Sequence, residues 1–249
     1  MLYFNCLILF FQFVIASDCA ICLTSINDEY LMDAWGNKFH KYHLDNGTFC
    51  NSCSRIISES ITNGGFKYND GRFLCSLCQS TIIEFQKQID KSYDSVLKQL
   101  YNVGFTNIPK NITINLVNLN LLKEFSGDLA HSELKGFTKI DKNSSNNKFA
   151  IYILFGLPEI EFNAVLAHEL LHVWLHLNNS KISINYKEGF CNLGSYLIYL
   201  NDNSKFSKIH LKAMERNPDP IYGYGYIQVK SMLDKLGWEE LLNNLHKFN

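Results

Sequence analysis

Four short two-ligand hooks crowd the first 78 residues: Cys19/Cys22, His40/His43, Cys50/Cys53 and Cys75/Cys78, each pair separated by two residues. A hook of this kind is a tight turn that offers two side chains to one tetrahedral ion, and two hooks complete a structural zinc site. Paired in order, Cys19, Cys22, His40 and His43 hold one zinc, and Cys50, Cys53, Cys75 and Cys78 hold another. Gly64-Gly65 and Asn69-Asp70-Gly71 are turn signals between short strands. A module of about 60 residues has a thin core, so metal supplies much of its folding energy. Disulfides are the alternative, because six cysteines in an oxidising compartment can form three bridges. The spacing favours metal, and the two histidines have no role in a disulfide scheme. Cys191 is left over and is expected to be a buried free thiol.

Ahead of the first hook, residues 2–15 are almost uninterrupted Leu, Ile, Phe and Val, with Val14 and Ala16 placed just before Ser17. The pattern reads as a secretory signal peptide cleaved after Ala16. It is short for a membrane span, which needs about 20 residues. The expected location is therefore outside the cell or in the secretory lumen. Sequons at Asn46, Asn111, Asn143 and Asn178 fit export. The chain has 249 residues, 47% of them hydrophobic, enough for one ordinary domain beside a small one. The expected division is a leader at 1–16, a zinc module at 17–80 and a larger domain at 81–249. A net charge of −1 without a basic stripe argues against nucleic acid as a partner. The Asn/Ser/Lys-rich stretch 141–148 reads as a solvated loop.

Apolar residues at helical spacing predict a long helix from Thr81 to Asn102. Ile112, Ile114 and Leu116 alternate as in a half-buried strand, and Phe149–Phe155 reads as another; Leu121–Ile140 has no clear pattern. Glu161–Leu177 is then a helix carrying His168-Glu169-Leu170-Leu171-His172. Positions four apart stand one above the other on a helix face, so both imidazoles reach one zinc. Glu169, beside the first ligand, is placed to act as a general base. Glu188, 16 residues after His172 on a second helical run from Tyr186 to Leu200, is the expected third ligand. His176 is the rival, but three histidines up one straight helix cannot converge on one ion. Tyr222 is the candidate oxyanion donor, with Tyr224 and Tyr226 behind it, presented on a mobile loop by Gly223 and Gly225. The strand Phe149–Phe155 is expected to pair with substrate backbone. These residues predict a zinc-dependent peptidase acting on protein or peptide substrates.

Ile153-Leu154-Phe155-Gly156-Leu157-Pro158, Ala167–Trp174, Glu188-Gly189-Phe190-Cys191 and Pro220–Tyr226 together resemble the plant LIM-domain peptidases that limit organ growth. The likeness extends back through Asn69–Arg72 and Cys75/Cys78 to Cys19. It implies an α+β chain: a LIM-like double-zinc module, then a mainly helical gluzincin-type metallopeptidase domain with a small sheet. It also implies one catalytic and two structural zinc ions, and a protein partner for the LIM-like module. Two departures stand out: the spacer from His43 to Cys50 is longer than in an ordinary LIM domain, and Lys187 replaces an acidic residue beside the third ligand. The competing function is a non-catalytic interaction protein carrying a relic peptidase domain.

Overall fold

The computed structural model describes residues 17–127, 134–141, 148–179 and 182–245. The expected leader at 1–16 and most of the polar loop, 142–147, lie outside the described residues. The architecture is mixed α and β with small sheets.

Two antiparallel hairpins organise the first 80 residues. β1 (Tyr30–Met32) pairs with β2 (Lys38–His40), and β3 (Gly65–Lys67) pairs with β4 (Phe73–Cys75). Three single-turn helices, α1 (His43–Asn46), α2 (Glu59–Thr62) and α3 (Ser76–Gln79), fill the intervals. The apolar interior is small and built largely from the hooks. Cys19, Ala20, Phe39 and Ile56 form one cluster. Cys50, Cys53, Leu74, Cys75, Cys78 and Ile82 form the other.

The long helix α4 (Gln86–Asn102) starts later than its periodicity predicts. Residues ahead of it are extended, with Ile82 bridged to Pro158, and Gln88 Oε1 accepts the backbone N–H groups of Glu84 and Phe85 at 3.0 and 2.9 Å. A side chain that satisfies the first orphan donors sets the start of a helix. After it come β5 (Thr113–Val117), α5 (Leu119–Ser126), β6 (Gly136–Asp141) and β7 (Lys148–Leu154). The sheet order is β5-β7-β6, with β7 parallel to β5 and antiparallel to β6. The strand expected to receive substrate is thus the central one, its backbone groups used on both sides. β6, drawn from the stretch without clear pattern, is the edge beside the later helices.

Among the described residues four helical segments follow: α6 (Glu159–Leu177), α7 (Ile184–Asp202), α8 (Lys205–Arg216) and α9 (Tyr222–Asn243), the last kinked at Gly237, where φ is 76°. α6 is apolar nearly all round and correspondingly buried, as a central helix should be. Trp174 packs edge-on to Phe105 and stacks near Phe190, with ring centroids 5.2 and 5.9 Å apart. Small residues set how closely the helices approach. A Cβ at Gly194 of α7 would stand 2.8 Å from the Ala167 carbonyl of α6. A Cβ at Gly189 would overlap the Gly225 carbonyl of α9, and one at Gly225 would overlap the Asn185 oxygen. Tyr222-Gly-Tyr-Gly is therefore the first turn of a packed helix rather than a mobile loop, its glycines required by close approach.

The two regions are tied at several points. Arg72 donates to the Phe155 carbonyl at 2.8 Å, and its partner Asp70 accepts the Leu119 N–H at 3.3 Å. On the opposite flank Lys205 of α8 donates to the Trp35 carbonyl at 2.7 Å.

Candidate metal centre and cleft

His168 and His172 project from one face of α6, as a four-residue interval requires. Their Nε2 atoms are 3.1 Å apart, and Glu188 Oε2, from α7, lies 3.4 Å from each. Tetrahedral coordination at a zinc–nitrogen or zinc–oxygen distance of about 2.05 Å places ligand atoms about 3.3 Å apart. The three donors therefore form a triangle of the size that one face of a zinc tetrahedron requires, and the residues fit the ion. Burial pushes the Glu188 carboxyl up, but hydrogen bonds from His168 and His172 outweigh it and hold the group well below the carboxylate range. Desolvation likewise opposes charging of His172, and the Glu188 contact overrides it and raises the imidazole.

Asn192, one turn beyond Glu188, fixes the first histidine. Its Oδ1 is 2.9 Å from His168 Nδ1, while its Nδ2 donates to the Tyr222 carbonyl at 3.0 Å. With the amide so oriented, His168 carries its proton on Nδ1 and leaves Nε2 free to ligate. Sequence reasoning missed this residue; its only signal was a polar side chain four positions after Glu188. Cys191 is fully buried, as expected, but its thiol falls within 4.8 Å of the two imidazole nitrogens. Desolvation pushes that thiol well up, which keeps it protonated and neutral. Glu188 offers a charged oxygen 3.4 Å from both imidazole nitrogens. His176 points elsewhere, its ring edge-on to Phe149 with centroids 5.8 Å apart.

Glu169 is 4% exposed and packs against the edge strand. Thr138 of β6 donates to its Oε2 at 2.6 Å. Gly136 lies so close that a Cβ there would sit 2.6 Å from Glu169 Oε1. Thr138 was also invisible in the sequence, being one hydroxyl in an unpatterned stretch. A cavity of about 490 Å³ joins these groups; β6 forms one wall, and Val165, Ser195, Tyr199 and Met214 line it further along. Tyr222 lines it beside the donors. Burial and the Glu188 and Glu169 charges push the Tyr222 phenol well up, which keeps it a donor. Tyr224 is 57% exposed and Tyr226 is 1% exposed in the core, and neither of these lesser candidates lines the cleft.

The four hooks meet in the expected pairs. Cys19, Cys22, His40 and His43 form one group of converging donors, and Cys50, Cys53, Cys75 and Cys78 the other. None of these cysteines is in a disulfide. Cys53 and Cys75 sulfurs are 3.8 Å apart, and Cys22 Sγ lies 3.5 Å from His40 Nδ1. Zinc–sulfur bonds of about 2.3 Å imply tetrahedral edges of about 3.8 Å between sulfurs and about 3.5 Å to nitrogen. Both groups fit zinc. His43 Nε2 is moreover buried without a hydrogen-bond partner. The first and third hooks share one backbone turn: Leu23 and Ser54, each directly after a second cysteine, sit at φ 60° and 58°. Non-glycine residues seldom adopt that conformation. Backbone N–H groups of Ile21 and Cys75 point at Cys19 and Cys50 sulfurs, both at 3.4 Å. Within the second group, hydrogen bonding from Cys53 lowers Cys50 to about 6 and bonding from Cys50 lowers Cys75 further, while bonding from Cys50 raises Cys53 and Cys78. A bond from Thr24 leads the lowering of Cys22 to about 5. Thiolates are the ligating form.

The family model described as DA1-like matches residues 131–204, the stretch that holds β6, α6 and α7. Protein DA1-related 2 of Arabidopsis thaliana is 25% identical over 66% of this chain and 37% of its own length. LIM domain-containing protein HDR3 of Oryza sativa subsp. japonica is 27% identical over 66% of this chain and 39% of its own. Protein DA1 of Arabidopsis thaliana is 21% identical over 85% of this chain and 51% of its own. The chain thus spans about half or less of the curated relatives it matches. No solved structure matches it.

Proposed function

Because the chain belongs to the DA1-like family across residues 131–204, the plant family its motifs resemble, we propose that it is a zinc-dependent peptidase of the gluzincin type. The observation that carries the reading is the triangle of His168, His172 and Glu188 donors, with edges of 3.1, 3.4 and 3.4 Å, beside the buried Glu169 carboxylate. Zinc held there would polarise a substrate carbonyl and lower the pKa of a bound water towards about 7.

This chain's own groups do the rest. The edge of β6 away from β7 takes an extended peptide by adding a strand, which lays the scissile bond along α6. Glu169, oriented by Thr138, accepts the proton of the attacking water and passes it to the leaving amine. Tyr222, held protonated, donates to the oxyanion that develops on the carbonyl. Asn192 keeps His168 in the ligating tautomer and ties the start of α9 at Tyr222 to α7. The two hook groups serve as structural zinc sites of a LIM-like module, a reading the name of the rice relative supports.

Glu169→Gln tests the reading. The amide keeps the shape and the Thr138 hydrogen bond but cannot take a proton. Peptide hydrolysis is expected to fall by about 10²–10⁴-fold with zinc content unchanged. A wild-type chain that binds zinc yet cleaves no member of a diverse peptide library would leave the non-catalytic interaction reading in its place.

A further inference from the structure

The face of α6 that carries His168 runs back two turns to Glu161, and there the cleft meets the second cysteine group. Glu161 is 1% exposed. Its Oε1 accepts Lys135 Nζ at 2.6 Å, and its Oε2 accepts a short hydrogen bond from Ser52 Oγ. Ser52, itself 4% exposed, lies inside the Cys50/Cys53 hook. The hook is gripped from other sides too. Trp35 Nε1 donates to the Cys53 carbonyl at 2.7 Å, and His210 of α8 lines a second cavity together with Ser52. Lys135 directly precedes β6, and its carbonyl accepts the Leu154 N–H at 2.9 Å. Lys135, Glu161 and His210 all line the cleft.

A continuous path of short polar contacts therefore runs from a turn that presents two metal-binding cysteines, through a buried carboxylate, to the lysine at the head of the edge strand. A buried carboxylate is costly unless its oxygens are occupied, so removing one donor makes the group and its remaining partner rearrange. We propose that Ser52 is a positioning residue: through Glu161 it sets Lys135 and the start of β6, so that the Cys50/Cys53 hook in its folded conformation fixes where a peptide lies in the cleft. The inference rests on the peptidase reading for its substrate and on the contacts alone for its geometry. It makes the small module part of the substrate site, acting on binding more than on the proton transfers at Glu169.

The test compares the full chain with Ser52→Ala, Ser52→Thr and Glu161→Gln. Ser52→Ala is expected to keep the wild-type zinc content, raise KM about tenfold and leave kcat within about twofold. Amide hydrogen exchange in β6 quickens while exchange in α4 and α9 stays unchanged. Ser52→Thr, which restores the hydroxyl, returns both readouts towards wild type; Glu161→Gln, which breaks the ion pair, reproduces the Ser52→Ala shift. Wild-type KM together with wild-type β6 exchange in Ser52→Ala would overturn the proposal, as would exchange that quickens throughout the chain with kcat and KM both impaired. If the wild-type chain cleaves no peptide, the peptidase reading falls, and the exchange comparison decides on Ser52 by itself.

Discussion

Asn192 shows how a proposed metal centre can depend on a residue that would not touch the ion. Its amide accepts from His168 and donates to the Tyr222 carbonyl, so both ends are committed and its orientation is fixed. Without it, His168 is free to protonate Nε2 and turn that nitrogen from a ligand into a donor. Asn192→Ala is expected to weaken zinc retention at the His168/His172/Glu188 centre by about 10–100-fold, read by competition with a chromophoric chelator. Unchanged retention would mean that packing alone holds the ring. The four central residues were legible because helix geometry makes their spacing meaningful: four residues put His168 over His172, and a following antiparallel helix can return Glu188. Asn192 and Thr138 were not, because a lone amide or hydroxyl gains its role from what lies across the cleft. Cys191 was correctly expected to be buried, but its nearness to the imidazoles depends on the helix packing.

Helix packing is where glycine misleads a reader of the sequence. Gly223 and Gly225 suggested a loop, yet they begin α9, and Gly225 lies against Asn185 and Gly189 of α7. Glycine in a helix costs about 1 kcal/mol against alanine, so each position would gain by substitution if space allowed. Space does not allow it at Gly189. The added Cβ would overlap backbone of α9, which cannot swing aside as a side-chain tip can. Overpacking of this kind costs about 1–3 kcal/mol, which exceeds the propensity gain. Gly189→Ala is therefore expected to lower the stability of the folded chain and, because Glu188 is the adjacent residue, to loosen zinc at that centre. Denaturant unfolding together with zinc titration checks both. A more stable variant with unaltered zinc retention would show that α7 and α9 are not packed this closely. α6 and α7 were legible as largely apolar runs too long for strands. β6 was not, since an edge strand is recognised by its neighbours and its sequence alternates only weakly. The order β5-β7-β6, which moved the proposed substrate strand from β7 to β6, depends on long-range pairing that no local pattern encodes.

Across the whole molecule, the metal groups stand in different mechanical settings, and chelation should separate them. The His168/His172/Glu188 centre is built on α6 and α7 inside the large apolar core, which runs from Ile83 to Leu245 and contains Cys191 as its sole cysteine among the described residues. Glu188 Oε2 already lies 3.4 Å from both imidazole nitrogens. Stripping an ion from that centre leaves the helices packed. The cysteine groups have no such reserve. In the second cluster four of the six core residues are the candidate ligands themselves. Structural zinc in small modules contributes about 10–16 kcal/mol to folding, as much as the whole stability of an ordinary domain. Graded chelation of the full chain is therefore expected to proceed in two stages. One zinc leaves first, with loss of hydrolysis and no change in circular dichroism. Two more leave under stronger chelation, and residues before Ile83 then become open to protease while the remainder stays folded. Loss of all zinc in one step, with protease sensitivity throughout, would make the module and the helical core a single cooperative unit. The ties from Ser52, Arg72 and Lys205 across the junction would then be stronger than the metal-free core of the larger part, and the cleft could not outlast the module whose Ser52 holds Glu161 in its lining.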